Sequence, residues 1–349
     1  MTLARRTSYL AAVALSVAGV FTSPVSAQQI AQDAKIAEGS LTAEQTQGVR
    51  DFVEAWMGRL ISADPAEVTE SRNAILREFR TPGITETFRE AFSQEVSRMM
   101  GEAIQAESDL VRINAMIIAT QLTNEGAEEF IDAGLSDSNA AVQYWSAKAY
   151  QERVDRATAD EGPGMPAAEQ RSVIGKVGAI FENSPSTPVA RVGIEILSKL
   201  TVPEARAAML SLLHDRVAYH AENPQASYLP EQTAIQLLSA EISRERRSDP
   251  NDIAELSRAA YRYFVQIHAQ LEADNVLDGS VEGHKAMLDW CNKCLQALGA
   301  KVQADMPENV GEVNDWIRLD EWEDLGEVAA AWRLTLMGAP FNMTADDLD

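Results

Sequence analysis

Cysteine, histidine and lysine are scarce in this 349-residue chain, which carries two, four and seven of them. Two cysteines exclude a disulfide-dense scaffold, and four histidines leave few imidazoles for metal chemistry. Basic charge is also short: 30 Lys+Arg stand against 53 Asp+Glu, a formal charge of -23 with a pI near 4.6. That balance provides no cationic face for a DNA or RNA backbone, so nucleic acid is excluded as a partner. Beyond residue 27 no run is apolar enough to span a membrane, and no stretch alternates apolar and polar residues as a strand would. What is present is 46% hydrophobic and 24% charged residues, an ordinary globular composition. The length suits one or two domains, or one continuous repeat array. No cofactor and no specific activity are indicated.

Residues 1–27 read as an export signal. Arg5 and Arg6 precede an apolar run from Leu10 to Phe21, and Val25 and Ala27 are small residues suited to cleavage after Ala27. The run is shorter than the roughly 20 residues a membrane anchor needs, although an anchor is the alternative. Arg5-Arg6 matches a twin-arginine signal only in part, because Ser8 stands where an apolar residue is usual, and general secretion fits better. No cysteine near the site points to a lipoprotein. Cleavage would remove two arginines and no acid, taking the charge from -23 to -25, in a periplasmic or extracellular protein.

Nearly everything after residue 40 has helical periodicity, so the expected class is all-α. Thr42-Ala43-Glu44-Gln45 has the form of a capping box before the stripe Val49, Phe52, Val53, Trp56 and Leu60. Asp64-Pro65 is an N-cap followed by proline at the first helical position. Further stripes run through residues 84–99, 108–122, 125–135, 138–154, 167–183, 188–200, 203–219, 230–246, 250–272, 281–303 and 309–336. The expected organisation is a flexible leader at 28–40, an N-terminal helical array at 41–154, and a Gly/Pro-rich linker or insertion at 155–166. A C-terminal array follows at 167–337, then an acidic, poorly ordered tail at 338–349. Residues 220–230 form a second loop.

Internal similarity is the most informative pattern. Val111, Val142 and Val189 are each followed four places on by a small residue (Ala115, Ser146, Gly193) and seven places on by Ile118, Ala149 and Ile196. Small side chains there let helices approach closely. The intervals are 31 and 47 residues, the second longer by 16, which the Gly/Pro-rich segment can absorb. A period near 30 suits a helix pair. Polar turns open the units at Ser108-Asp109, Ser138-Asn139 and Ser186-Thr187-Pro188. A weaker fourth begins at Asp249-Pro250, with Ser257 and Ala260 at the same offsets. Asp109-Leu110-Val111-Arg112-Ile113-Asn114-Ala115 resembles the second helix of HEAT-like repeats, particularly the short phycobilin-lyase type. The likeness covers about residues 108–200. Gln143 replaces the usual arginine in the second unit, and Arg191 stands one place late in the third. The resemblance implies stacked antiparallel helix pairs, a HEAT-like α-solenoid, with a concave surface for protein partners. An irregular helical bundle is the alternative. Some relatives are lyases, but no lyase residue set matches, so no activity is carried over.

Three groups of residues are candidates for chemistry. Cys291 and Cys294 form a Cys-x-x-Cys after Trp290, a possible redox or disulfide pair. Their helical stripe, with His284, Leu288, Leu295, Leu298 and Val302, instead points Cys291 into the core. His268 and His284 precede them and could complete a four-ligand zinc site, although the spacings match no compact zinc module. Haem attachment is excluded by Leu295 after the second cysteine. His214 and His220 lack metalloprotease spacing and read as partly exposed helix-end residues. Asp274 to Gly279 resembles a calcium loop only superficially, because Val276 and Lys285 occupy ligand positions. Trp316, Trp322 and Trp332 cluster near the C-terminus as either an aromatic binding platform or the closing contact of the last helices. The resulting expectation is an exported, non-enzymatic protein-binding or scaffolding module with an unidentified protein partner. The alternatives are thiol-disulfide or metal-dependent activity at the Cys-x-x-Cys pair, and binding of a cell-wall polymer through the tryptophans. The excess of arginine over lysine suits fixed pairing with carboxylates between repeats.

Overall fold

The structure, a computed structural model, describes residues 29–124, 126–159, 164–183 and 186–349. The expected export signal at 1–27 lies outside them, as does the middle of the Gly/Pro-rich segment at 155–166. Among the described residues the fold is all-α, with sixteen helices and no strand. The first eight are α1 (Gln32–Lys35), α2 (Ala43–Leu60), α3 (Pro65–Phe79), α4 (Glu86–Ile104), α5 (Asp109–Ala119), α6 (Ala127–Leu135), α7 (Ala140–Thr158) and α8 (Ala167–Asn183). They are followed by α9 (Thr187–Leu197), α10 (Pro203–Glu222), α11 (Leu229–Arg244), α12 (Pro250–Glu272), α13 (Asp278–Val302), α14 (Val313–Leu319), α15 (Trp322–Met337) and α16 (Ala345–Leu348).

Local sequence sets the helix starts. Thr42 and Gln45 exchange the two bonds of a capping box, and Asp64 accepts from Ala66 N at 2.9 Å ahead of Pro65. Asn139 caps α7 through Ala141 N and Val142 N. No glycine marks the break between α14 and α15. The continuous stripe at 309–336 is interrupted because Asp320 takes a left-handed conformation, φ 59°, and Glu321 N bonds back to Trp316 O at 3.0 Å. Asp is one of the few side chains that enters this region readily, so a helical hydrophobic pattern does not reveal the stop.

Packing follows two successions. The helices α3, α5, α7, α9, α11 and α13 each contact the next odd-numbered one. On the other side α2, α4 and α6 are in succession, and so are α8, α10, α12 and α15. Neighbours in sequence also pack: α2 on α3, α4 on α5, α6 on α7, α8 on α9, α10 on α11 and α12 on α13. The aligned positions Val111, Val142, Val189, Ala115, Ser146, Ile118, Ala149 and Ile196 are all buried. Small residues in this register do allow close approach. A Cβ at Gly193 of α9 would lie 2.6 Å from the Phe181 ring of α8, and one at Gly134 of α6 would lie 2.0 Å from Ser146 Oγ of α7. The proposed fourth unit at Asp249 is displaced by one helix, because α12 follows α10 whereas α11 follows α9. Ser257 and Ala260 are buried there for the ordinary reason that one face of α12 is.

Arginines tie the elements together. Arg112 Nε donates to Asp137 Oδ2 at 2.7 Å, and Nη1 donates to Ala106 O and Glu107 O, so the turn before α5 is fixed to the turn before α7. Arg206 of α10 joins Glu241 of α11, Glu245 just beyond it and, at 2.8 Å, Asp252 of α12. In the unit lacking the arginine, Gln143 Nε2 donates to Asp137 O at 2.7 Å, within its own turn. Among the described residues Arg191 makes an i,i+4 pair with Glu195 within its own helix.

Both ends of the described chain are docked. In the expected flexible leader, Ile30 and Ala34 are buried, and Lys35 pairs with the buried Glu78 of α3. The tail at 338–349 packs as well: Met343 and Leu348 are buried, and Arg333 and Arg258 hold Asp349 and Asp347. Two apolar anchors and two ion pairs oppose the repulsion that its acidic composition suggests.

Candidate functional site

The cysteine pair lies in the middle of α13, which begins at Asp278. Cys291 and Cys294 are both buried free thiols. Burial pushes the Cys291 thiol well up, reinforced by Cys294 and Asp289 nearby. Cys294 is pushed up to about 12 by burial, against a small opposing bond to Ser239. Exchange needs an accessible thiolate, and this environment suppresses it. The two histidines are used elsewhere. His268 Nε2 lies 2.7 Å from Trp322 O, while His284 Nδ1 and Nε2 lie 2.8 and 2.9 Å from Ser280 O and Pro224 O. The set His268, His284, Cys291, Cys294 is therefore not brought together as ligands. Among the described residues no group of three or more His, Cys, Asp or Glu is placed to hold a metal.

The tryptophans are also divided. Trp332 is fully buried, and its Nε1 donates to Asn292 Oδ1 on α13 at 3.1 Å. It cannot belong to a surface platform, because its apolar area is spent closing α15 against α13. Trp316 and Trp322 are half-buried against the same core, with Lys285 Nζ 5.8 Å from the Trp322 ring.

The most unusual chemistry is elsewhere, at residues not expected to be internal. His220 is completely buried in the last turn of α10, rather than partly exposed in a loop, because α10 continues to Glu222. His214 is mid-helix and faces Glu255 Oε2 at 2.9 Å. Burial lowers the His214 imidazole's affinity for a proton, with the charge of Glu255 opposing. Glu231, also fully buried, shares Oε1 between Arg216 Nε and His220 Nε2, the latter at 3.0 Å. The His220 ring stacks on Tyr228, centroids 3.8 Å apart, and Tyr228 meets Tyr263 and His284 edge-on. Tyr228 Oη donates to Gln270 Oε1 at 3.0 Å, and Tyr263 Oη donates to Leu213 O at 2.7 Å. Burial pushes both phenols up. Burial also pushes the Glu231 carboxyl up, but His220 and Arg216 outweigh it and hold the group below the usual carboxylate range. Met209, Leu213, Arg216 and His220 are one buried stripe of α10. An arginine and a histidine on that stripe were the available sequence signal for an internal ion cluster.

A second polar cluster joins α6, α7 and α8. Tyr150 Oη lies 3.1 Å from Asp132 Oδ1 and 3.2 Å from Glu128 Oε1, and Lys176 reaches all three residues. Burial pushes the Tyr150 phenol up, and the hydrogen bond from Lys176 holds the Glu128 carboxyl down.

Beside the ion cluster, α8 and α10 leave a cleft of about 490 Å³. Ile174, Gly178 and Phe181 form its α8 side, and Ala208, Leu212, Arg216 and Tyr219 its α10 side, with Ser211 and Asp215 exposed at the mouth. The Arg216 guanidinium lies 4.6 Å from the Tyr219 ring centroid.

No protein-family model matches the chain, and neither the curated proteins nor the solved structures give a match.

Proposed function

We propose that the chain is an exported α-solenoid of HEAT-like helix pairs, serving as a protein-binding or scaffolding module that acts by binding rather than by catalysis. The observation that carries this reading is the unbroken succession of α3, α5, α7, α9, α11 and α13, each paired with a helix of the second side. Such stacking exposes one helix face after another, a surface suited to an extended protein partner. The Arg112–Asp137 link supports it by fixing one unit to the next. Export rests on Arg5, Arg6, the Leu10 to Phe21 run and the small residues before Gln28. The burial and raised protonation of Cys291 and Cys294 weigh against a thiol-disulfide activity, and burial of Trp332 weighs against a polysaccharide platform.

Two measurements test the reading. A compact body of this length has a radius of gyration of about 20 Å, so small-angle scattering of the secreted chain should give a clearly larger value. Cross-linking in the exported fraction should then join it to one protein in fixed stoichiometry, through residues of the odd-numbered helices. A radius at the compact value, or retention of the chain inside the cell, removes the corresponding part of the proposal.

A further inference from the structure

The cleft between α8 and α10 has the features of a small-molecule site, independent of any protein-binding role. Its volume of about 490 Å³ falls within the range of ligand pockets. Its walls are aliphatic and aromatic, from Ile174, Phe181, Ala208 and Leu212. At its inner end stands one cation, Arg216, whose residue is only 6% exposed. Nε of Arg216 is taken by Glu231, while its buried Nη2 has no hydrogen-bond partner among the described residues. A buried guanidinium that keeps a donor unmatched beside an apolar cleft is costly, and an incoming carboxylate would accept from it.

Gly178 lines the same cleft. It lies in the interior of α8, where glycine is unfavourable relative to alanine. Unlike Gly193, it has no neighbour that requires the missing side chain: a Cβ there would meet nothing within 4 Å. A larger side chain at Gly178 therefore enters open space without disturbing helix packing. Asp215 and Ser211 are exposed at the mouth, where solvent screens the carboxylate, so a ligand enters acid group first with its apolar body behind.

We infer that this cleft binds a free medium-chain carboxylic acid, its carboxylate on Arg216 and its hydrocarbon chain along Ile174, Phe181 and Leu212. Calorimetric titration of the full secreted chain with octanoate and decanoate tests it. Saturable one-site binding is expected, tighter for decanoate, with octanamide at least tenfold weaker than octanoate. Arg216→Gln should abolish binding but also disturbs Glu231, so Gly178→Leu is the decisive variant. It fills open space, keeps helical circular dichroism, and should weaken decanoate binding tenfold or more. Equal binding of octanoate and octanamide, unchanged affinity in folded Gly178→Leu, or no saturation at millimolar decanoate overturns the proposal. So does tighter binding of a short apolar peptide with a free C-terminus than of decanoate, which would assign the cleft to protein termini.

Discussion

Glu231 is fully buried between Arg216 and His220, so its charge matters far more than that of any acid on the surface. Its carboxyl titrates below the ordinary 4.5. A depressed folded-state value means stabilisation that is complete above the unfolded value and is lost as pH falls through the folded one. Glu231→Gln should therefore destabilise by about 3 to 5 kcal/mol near neutrality, the usual effect of breaking a buried pair. In urea titrations the gap from the parent chain should narrow as pH drops below about 4.5. A gap that stays constant down to pH 3 would show that Glu231 is not the ionised partner. At Cys291 and Cys294 the expected result is silence: a thiol reagent should label neither in the native protein and both after denaturation. Rapid native labelling would contradict their burial. Cys291 was legible as a core residue from the stripe of α13, whereas the burial of Cys294 and the choice between platform and closing contact for Trp332 were not. Full burial and the contact with Asn292 separate Trp332 from the half-buried Trp316 and Trp322.

Among the helices, glycine has two different meanings, and substitutions separate them. At Gly193 the ring of Phe181 occupies the space a side chain would need, so Gly193→Ala should cost about 1 to 3 kcal/mol through overpacking. At Gly178 the space is open, so Gly178→Ala should be neutral or stabilise by up to about 1 kcal/mol. Denaturant midpoints of the two variants check both, and equal shifts would show that the register of Gly193 carries no packing role. Helix starts were readable where chemistry is local, as at Thr42 with Gln45 and Asp64 with Pro65. Stops and docking were less so. Asp320 ends α14 without a glycine, and Met343 and Leu348 anchor an acidic tail that has no stripe of its own. Whether a short apolar residue finds a partner depends on which helix happens to lie opposite.

Across the whole molecule the large excess of acid sets solution behaviour. Acids far outnumber bases, and many of the bases are committed to fixed pairs, among them Arg112 with Asp137 and Arg206 with Glu241, Glu245 and Asp252. The remaining negative charge repels itself, so raising sodium chloride from about 10 to 150 mM should increase stability by screening. A fall in the unfolding midpoint over that range would mean that the ion pairs outweigh the repulsion. Sequence alone determined the all-α class, because apolar residues recur at helical spacing and strand alternation is absent. It also determined the acidic surface and the close-approach register of Ala115, Ser146 and Gly193, since both follow from residue identity and short-range spacing. Only the tertiary structure decided that α12 belongs beside α10, that His220 and Glu231 meet inside the protein, and that a cleft opens next to Arg216. Those outcomes depend on contacts between residues far apart in the chain, and the periodicity of one helix does not specify which neighbour its face will meet.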